Sequence, residues 1–320
     1  MGIEEIPVAS LDSKRFIEEQ ARIIAETVGQ GVAINALSGG VDSSAVTLIG
    51  HKALGDRLLT YFIDNGLMRE GEPEQVVKLF DSLGVKVRLI DARAEFLNAL
   101  KGIKDPEEKR EAVTQTFYKK VFGRLVKETG AKYLLQGTIL TDVDETVAGI
   151  KRQHNVFEQL GINPEEAFGY KILEPLVQLR KDGVRKVAEA LGLPASVFNR
   201  MPFPGPALAA RVIGEATAER LALVRKATAI TEECLRSTGA FQYMAILHED
   251  RVTGMRDGKR DFGLQIEIRC WDTHDARRAF PTRLDWETLE NLSLRILDIP
   301  GVVSVTYNIA PKPPSTMEAV

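Results

Sequence analysis

The stretch that decides the fold is Leu37-Ser38-Gly39-Gly40-Val41-Asp42-Ser43-Ser44, which closes a short apolar run beginning at Val32. Such a run is typical of a buried strand, and the residues from Ser43 to Leu54 are typical of a helix. Two glycines let the backbone turn tightly and approach a ligand. Backbone N–H groups and the start of the helix then present positive charge to one point. The stretch therefore predicts a phosphate-binding turn after the first strand of an α/β sheet.

The alternation of strand and helix continues along the first part of the chain. We predict further strands at residues 58–63, 85–91, 133–136 and 171–174, and helices at 13–28, 75–83, 105–129 and 181–191. Alternating elements with continuous apolar strands indicate a parallel sheet with helices on both faces. Residues 142–169 are polar and weakly patterned, which is typical of a functional or mobile segment.

A proline-rich segment predicts the domain boundary. Met201-Pro202-Phe203-Pro204-Gly205-Pro206 holds three prolines in five residues, which excludes a helix or a central strand. We therefore expect domains at 1–200 and 201–320. The second domain has a different order of elements. We predict helices at 217–238 and 286–297 and strands at 241–247, 252–255, 263–270 and 302–309. This pattern predicts a small α+β domain with antiparallel strands.

Composition narrows the class of protein. The 320 residues carry 42 Lys and Arg against 45 Asp and Glu, for a net charge of −3. This balance argues against a general nucleic-acid binder. No apolar run approaches the roughly 20 residues needed to span a membrane. The chain has only two cysteines, Cys234 and Cys270, which fits a reducing compartment, so we expect a cytoplasmic protein.

The turn matches neither of two common nucleotide motifs. It is not a Walker A loop and not a G-x-G-x-x-G fingerprint, so a dehydrogenase is excluded. A Gly-Ser turn can also serve backbone conformation alone, but six successive residues here have the types that a phosphate site needs.

Several segments together resemble one family. The turn is similar to the SGGxDS pyrophosphate loop of the N-type ATP pyrophosphatases. Within that class the chain resembles GMP synthetase over nearly its whole length, in the segments 61–72, 105–110, 136–138, 150–156, 173–176, 200–206 and 312–318.

This resemblance implies a reaction and its partners. The family cleaves MgATP between the α and β phosphates, releases pyrophosphate and adenylates the C2 carbonyl oxygen of xanthosine monophosphate, which ammonia then converts to GMP. It also implies ATP and Mg²⁺ as cofactors and a homodimer formed by the second domain. Neither Cys234 nor Cys270 lies in a G-x-C-x-G setting, so we expect ammonia from a separate glutaminase subunit or from solution.

Candidate site residues follow from the matched segments. The ATP-binding candidates are Ser38, Gly39, Gly40, Asp42, Ser43, Ser44, Ile63, Gly137 and Thr138. The candidate magnesium ligands, chosen as hard oxygen donors, are Asp42, Asp142 and Glu145. The candidate catalytic residues are Asp42, Lys151 and Lys171, with His154 as a polar contact near Lys151. The candidate acceptor-substrate residues are Arg69, Gln242, Lys312 and Glu318.

Departures from the family pattern cluster outside the ATP loop. Residues 150–156 have one histidine where the family has two, and Ser304 stands where the family carries an arginine expected to bind the nucleotide phosphate. Arg277 or Arg278 is a possible replacement for that contact. The alternative function is therefore a divergent paralogue that adenylates another carbonyl or carboxyl acceptor for amidation or thiolation. A nucleotide-binding regulator without turnover is a third hypothesis, which the intact Asp42, Asp142, Glu145 and Lys151 disfavour.

Overall fold

The computed structural model describes residues 3–147, 170–198, 201, 203–256, 258–273 and 278–318, with only the backbone at 145–147 and 256. Backbone contacts divide the chain into two units. The first consists of Met1–Asp64, Glu72–Asp91 and Phe117–Arg200, and the second of Asn65–Gly71, Ala92–Thr116 and Met201–Val320. Two short segments of the first part of the sequence thus belong to the second unit.

The helices largely follow the predicted pattern. In chain order they are α1 (Ser13–Val28), α2 (Val41–Leu54), α3 (Glu72–Ser82), α4 (Arg93–Leu100), α5 (Pro106–Gln115), a π-helix (Thr116–Phe122), α6 (Gly123–Thr129), α7 (Leu140–Val147), α8 (Lys181–Ala190), α9 (Ala195–Phe198), α10 (Ala218–Leu235) and α11 (Trp286–Leu297). Asp12 caps α1 by accepting hydrogen bonds from the backbone N–H groups of Lys14 and Arg15. The sequence did not predict α4, α7 or α9.

The first unit is built on a parallel sheet of five strands. The strands are β1 (Ala33–Ala36), β2 (Leu58–Asp64), β3 (Val87–Asp91), β4 (Tyr133–Leu135) and β5 (Lys171–Leu173), in the order β3-β2-β1-β4-β5. All four pairings are parallel, which confirms the predicted fold class. The chain extends the sheet to one side of β1 and then to the other. The carboxyl end of β1 is therefore the switch point at which such sheets bind ligands.

A polar triplet stabilises the centre of this sheet. Asn35 of β1 is 1% exposed. Its amide Nδ2 donates to Oγ1 of Thr47 at 2.6 Å, and its Oδ1 accepts from Oγ1 of Thr60 at 2.8 Å. Because buried polar groups need partners, these bonds hold β1 to both α2 and β2. The strand that carries the turn is therefore fixed from two sides.

The second unit contains a four-stranded sheet. Its strands are β6 (Gln242–Arg256), β7 (Lys259–Thr273), β8 (Ala279–Pro281) and β9 (Val302–Tyr307). The central β7 pairs antiparallel with β6 and β8, but parallel with β9. The prediction of antiparallel strands is thus wrong for β9, because α11 carries the chain across before that strand. The predicted strands at 241–247 and 252–255 form one strand with a register shift between Leu247 and Arg251.

Among the residues described, no helix combines the length and the apolar character needed to cross a lipid bilayer.

Candidate active site

The turn after β1 is stabilised by its own serines. Gly39 has a φ of +76°, a conformation that favours glycine, and Gly40 caps the start of α2. The Ser38 backbone N–H donates to Oγ of Ser43 at 3.2 Å, and the two serine hydroxyls lie 2.9 Å apart. Oγ of Ser43 also donates to the carbonyl of Gly40 at 3.1 Å. Ser43 therefore braces the loop, and the N-terminus of α2 points to the space beyond it.

That space is a cavity of about 380 Å³ within the first unit. It brings together seven of the predicted ATP- and metal-binding residues: Ser38, Gly40, Asp42, Ser43, Gly137, Thr138 and Asp142. They come from the loops that follow the neighbouring strands β1 and β4 and from the first turns of the helices after those loops, α2 and α7. The carboxyl ends of these strands therefore form one edge of the cavity.

Gly137 packs closely against the turn. A Cβ atom at this position would lie 3.1 Å from the carbonyl carbon of Asp42 and 3.2 Å from the backbone nitrogen of Ser43. These distances are shorter than ordinary van der Waals contacts, so only glycine fits without displacing the loop. The loop after β4 therefore helps to set the position of the phosphate-binding turn.

A lysine that the sequence analysis did not select contacts the central carboxylate. Nζ of Lys181, at the start of α8, lies 2.9 Å from Oδ1 and 2.7 Å from Oδ2 of Asp42. Burial raises the pKa of the Asp42 carboxyl, and the nearby Asp142 raises it further, while Lys181 lowers it. The ionisation of Asp42 is thus influenced by a cation in contact with it and by a second carboxylate nearby.

The residues present fit a magnesium ion bound together with phosphates. Asp42 and Asp142 both line the cavity, and Mg²⁺ sites of this kind use one or two carboxylates in addition to substrate phosphates. The described residues contain no group of three or more His, Cys, Asp or Glu placed to hold a metal by themselves. The side chain of Glu145, the third predicted ligand, lies outside the described residues.

Aromatic residues of the π-helix form another part of the cavity lining. Phe117, Tyr118 and Phe122 contribute to it. The Phe117 and Phe122 rings are nearly parallel with centroids 6.1 Å apart, and Phe117 meets Tyr118 edge-on at 4.9 Å. Burial raises the pKa of Tyr118 to about 12, so its hydroxyl stays protonated. π-helices often mark functional sites, but their sequence pattern resembles that of an ordinary helix.

The other predicted ATP-site residues take different positions. Ser44 is buried, and its hydroxyl has no hydrogen-bond partner among the described residues. Ile63 is buried within β2, and the Thr138 hydroxyl donates to Glu174 at 2.5 Å. Lys171 begins β5 and pairs with Tyr133, at the amino end of the strands and opposite the turn. Its candidate catalytic role therefore has no support from its position. Lys151 and His154 lie outside the described residues.

The second unit assembles most of the predicted acceptor-substrate residues. The Arg69 guanidinium lies 3.9 Å from the ring centroid of Phe203, and its Nε donates to Glu232 at 2.6 Å. Arg211, which the sequence analysis did not select, lies 4.5 Å from the same ring. Arg211 is fully buried, and none of its three nitrogens has a hydrogen-bond partner among the described residues. Within the described part of the chain, Arg211 therefore holds unused hydrogen-bond donors beside the Phe203 ring.

Two further predicted residues meet next to Arg211. Nε2 of Gln242 donates to Oε1 of Glu318 at 3.0 Å, while Oε2 of Glu318 lies 3.9 Å from Nε of Arg211. Burial lowers the pKa of Arg211 to about 10, an effect that Glu318 opposes, so the guanidinium stays charged at neutral pH. Lys312 exchanges two backbone hydrogen bonds with Ala279 of β8. Arg69, Gln242 and Glu318 thus lie around Phe203 and Arg211.

Comparison with known proteins identifies the family. Residues 230–319 match the sequence model described as the GMP synthase C terminal domain. The chain is 45% identical over 309 residues to the B-subunit of the glutamine-hydrolyzing GMP synthase of Archaeoglobus fulgidus, covering 96% of this chain and 99% of that protein. The corresponding B-subunit of Methanopyrus kandleri is 41% identical over 316 residues, with the same coverage.

A solved structure also matches part of the chain. It is an NH3-dependent NAD synthetase from Campylobacter jejuni, with a TM-score of 0.47 and 15% identity, covering 61% of this chain and 80% of that one. The full-length sequence matches determine the assignment: this chain belongs to the family of GMP synthase B-subunits.

Proposed function

We propose that this protein is the ATP-dependent ligase subunit of a GMP synthase. It adenylates the C2 carbonyl oxygen of xanthosine monophosphate with MgATP and releases pyrophosphate, and ammonia then displaces AMP to give GMP. The observation that supports this most directly is the cavity after β1, where the Ser38–Ser43 turn, two carboxylates and an aromatic wall meet. Membership of the family of GMP synthase B-subunits supports the same reaction.

The turn is suited to the departing pyrophosphate. In adenylation the C2 oxygen attacks the α-phosphorus, and the bond to the oxygen bridging the α and β phosphates breaks. Backbone N–H groups of the turn and the N-terminus of α2 stabilise the charge that develops on the leaving group. Asp42 and Asp142 would hold a magnesium ion, which would supply further charge neutralisation. Among the protein's own side chains, we assign charge neutralisation to Lys181, whose Nζ lies 2.7 Å from Oδ2 of Asp42. Lys151 and Glu145 remain predictions from sequence.

The aromatic wall is suited to the adenine. Phe117 and Phe122 line the cavity with nearly parallel rings, and a flat purine gains from contact with aromatic side chains. We therefore place the base of ATP toward the π-helix and its triphosphate toward the turn.

The acceptor-substrate residues are proposed in the second unit. A nucleotide monophosphate carries negative charge, and Arg69 and Arg211 supply two guanidiniums next to Phe203. Gln242 and Glu318 offer an amide and a carboxylate for the polar edge of a purine or for ribose hydroxyls. Lys312 is a further predicted contact.

Partners and location follow from the same assignment. The relatives are named as B-subunits of glutamine-hydrolyzing enzymes, so we propose that a separate glutaminase subunit supplies ammonia. We also propose that the second domain forms a homodimer. A monomer measured by light scattering would contradict this. Cys234 and Cys270 are both free, which supports a cytoplasmic location.

The decisive experiment is a direct assay. The purified chain receives MgATP, xanthosine monophosphate and ammonium, and GMP, AMP and pyrophosphate are quantified. We expect equal amounts of all three, and no GMP from the Asp42→Asn variant. A folded wild-type protein that forms no GMP would overturn the proposal. Pyrophosphate release with other nucleotides or carboxylates, but not with xanthosine monophosphate, would instead identify the divergent paralogue.

A further inference from the structure

The last described segment of the chain forms a strap, residues 312–318, that is held at both ends. At its start, Lys312 and Ala279 exchange backbone hydrogen bonds of 2.8 and 3.1 Å. At its end, Nη1 of Arg269 donates to the carbonyl oxygens of Thr316 at 2.8 Å and of Glu318 at 3.2 Å. The Thr316 hydroxyl also donates to the Glu318 carbonyl at 2.6 Å. Arg269 therefore fixes the backbone from which the Glu318 side chain extends.

Arg269 is itself held by a carboxylate on the same strand. Its Nε donates to Oε1 of Glu267 at 2.6 Å, and both residues are 9% exposed. Glu267 also accepts a hydrogen bond from Asn308 at 2.8 Å and lies 2.8 Å from Nε2 of His248. Three neighbours on β6, β7 and the segment after β9 thus fix one carboxylate, which in turn fixes the direction of the guanidinium.

These contacts keep the Glu267 carboxylate ionised. Burial raises its pKa, but hydrogen bonds from His248, Arg269 and Asn308 outweigh burial and lower it to about 2. The pair with Arg269 therefore stays charged at every pH at which the enzyme would be assayed. The planar Arg269 guanidinium, held by Glu267, donates to two backbone carbonyls of the strap. Because its donors have fixed directions, it restricts the conformation of the strap.

We propose that Arg269, oriented by Glu267, is a positioning residue that holds Glu318 beside Gln242 and Arg211 and so sets the affinity for the acceptor nucleotide. Glu267 and Arg269 act on the acceptor only through Glu318. This inference rests on the proposed function in one respect, namely that Glu318 binds the acceptor.

The proposal predicts a selective kinetic effect. Releasing the strap removes Glu318 from the acceptor site but leaves the cavity of the first unit intact. For Arg269→Met we expect the KM for xanthosine monophosphate to rise at least about tenfold, equivalent to about 1.4 kcal/mol. Arg269→Lys, which keeps the charge but loses the fork, and Glu267→Gln should show smaller increases. The KM for ATP, and kcat at saturating acceptor, should stay within about twofold, equivalent to about 0.4 kcal/mol.

A matched control removes a cation elsewhere in the same unit. Arg295 of α11 contacts Glu233 at 2.7 Å and Cys234 at 3.2 Å. Arg295→Met should leave all three kinetic constants unchanged. An unchanged acceptor KM in Arg269→Met, or a fall in kcat without a change in KM, would overturn the proposal.

Hydrogen exchange tests the strap without any reaction. Amides of residues 312–318 should exchange faster in Arg269→Met and Glu267→Gln than in the wild type, and at the wild-type rate in Arg295→Met. If the wild type makes no GMP, the proposed function fails, while the exchange experiment still decides whether Arg269 holds the strap. Should Arg269→Met fail to fold, the milder Glu267→Gln and Arg269→Lys carry both tests. Equal exchange in all variants would show that the strap does not depend on Arg269.

Discussion

Lys181 and Asp42 are 139 residues apart in sequence, yet Nζ of Lys181 lies within 2.9 Å of both carboxylate oxygens of Asp42. Burial and Asp142 raise the pKa of Asp42, and Lys181 opposes both. We therefore expect Lys181→Met to move the acidic limb of the pH profile of kcat/KM for ATP to higher pH, because Asp42 then loses its proton only at a higher pH. Pyrophosphate release measured across the acidic range checks this.

The same helix provides a control for that variant. Lys186 of α8 donates to the backbone carbonyls of Val8 and Leu11 and does not contact Asp42. Lys186→Met should leave the acidic limb in place, even if it lowers the thermal midpoint. An unshifted limb in Lys181→Met would show that the ion pair does not govern the ionisation of Asp42.

Gly137→Ala tests the close packing behind the turn. The added Cβ would lie 3.1 to 3.3 Å from the backbone and Cβ of Asp42 and from the Ser43 nitrogen, so the turn must shift. We expect weaker ATP binding by at least about tenfold, or about 1.4 kcal/mol, measured by calorimetry. Gly183→Ala in α8 is the control, because its Cβ would meet only the side chains of Leu179 and Leu11, at ordinary contact distances of 3.5 to 3.6 Å. It should bind ATP normally and gain up to about 1 kcal/mol of stability. Equal ATP affinity in both variants would refute this role for Gly137.

Arg211→Met tests whether Arg211 binds the acceptor in addition to stabilising the second unit. The Arg211 guanidinium is fully buried, and its nitrogens lack hydrogen-bond partners among the described residues. Methionine removes this charge but leaves the half-buried Glu318 carboxylate, whose Oε2 lies 3.9 Å from Nε of Arg211, without its cation, and breaking a buried pair in this way typically costs about 3–5 kcal/mol. We therefore expect a lower thermal midpoint together with a loss of acceptor affinity. A lower midpoint with normal acceptor KM would show that Arg211 is structural.

The buried Lys109 should make the free energy of unfolding depend on pH. It is 1% exposed, and its Nζ donates to the Val212 carbonyl at 2.6 Å. Burial, with a smaller effect of Arg220, lowers its pKa from 10.5 to about 8. Between these values the unfolded chain binds a proton that the folded chain does not, so the free energy of unfolding rises with pH.

Urea unfolding at several pH values across that window measures the effect. The rise with pH should be smaller in Lys109→Met, since methionine does not titrate. Lys52→Met, which removes an exposed lysine of α2, should keep the wild-type slope. Identical slopes for Lys109→Met and the wild type would contradict the assignment.

The sequence predicted the elements whose local signals agree with their surroundings. Helix α1 begins and ends where the Asp12 cap and the apolar periodicity place it, and the bounds of α11 are also as predicted. The parallel sheet follows from its apolar strands. The parallel pairing of β9 did not follow, because strand direction depends on the crossover through α11 and not on the residues of the strand. The π-helix was missed because its helical periodicity does not differ enough from that of an α-helix.

The site was predictable where one short segment carries it. The Ser38–Ser43 turn was recognisable because its glycines and serines are adjacent in sequence. Lys181 was not, since a lysine beside Arg180 and Asp182 looks like a surface residue until tertiary folding places it against Asp42. Arg211 gave no signal either, because an arginine following an alanine-rich segment does not indicate burial. The roles of the predicted residues stay predictions until the variants are measured.

The division of the chain has a consequence for its biogenesis. Since Asn65–Gly71 and Ala92–Thr116 belong to the second unit, the polypeptide passes between the units five times. A ribosome that has released residues 1–200 has therefore produced two segments whose packing partners are not yet made. We therefore expect the second unit to fold only after residues 201–320 have been synthesised. Recombination at residue 200, although it falls between predicted domains, would separate these segments from the unit that buries them.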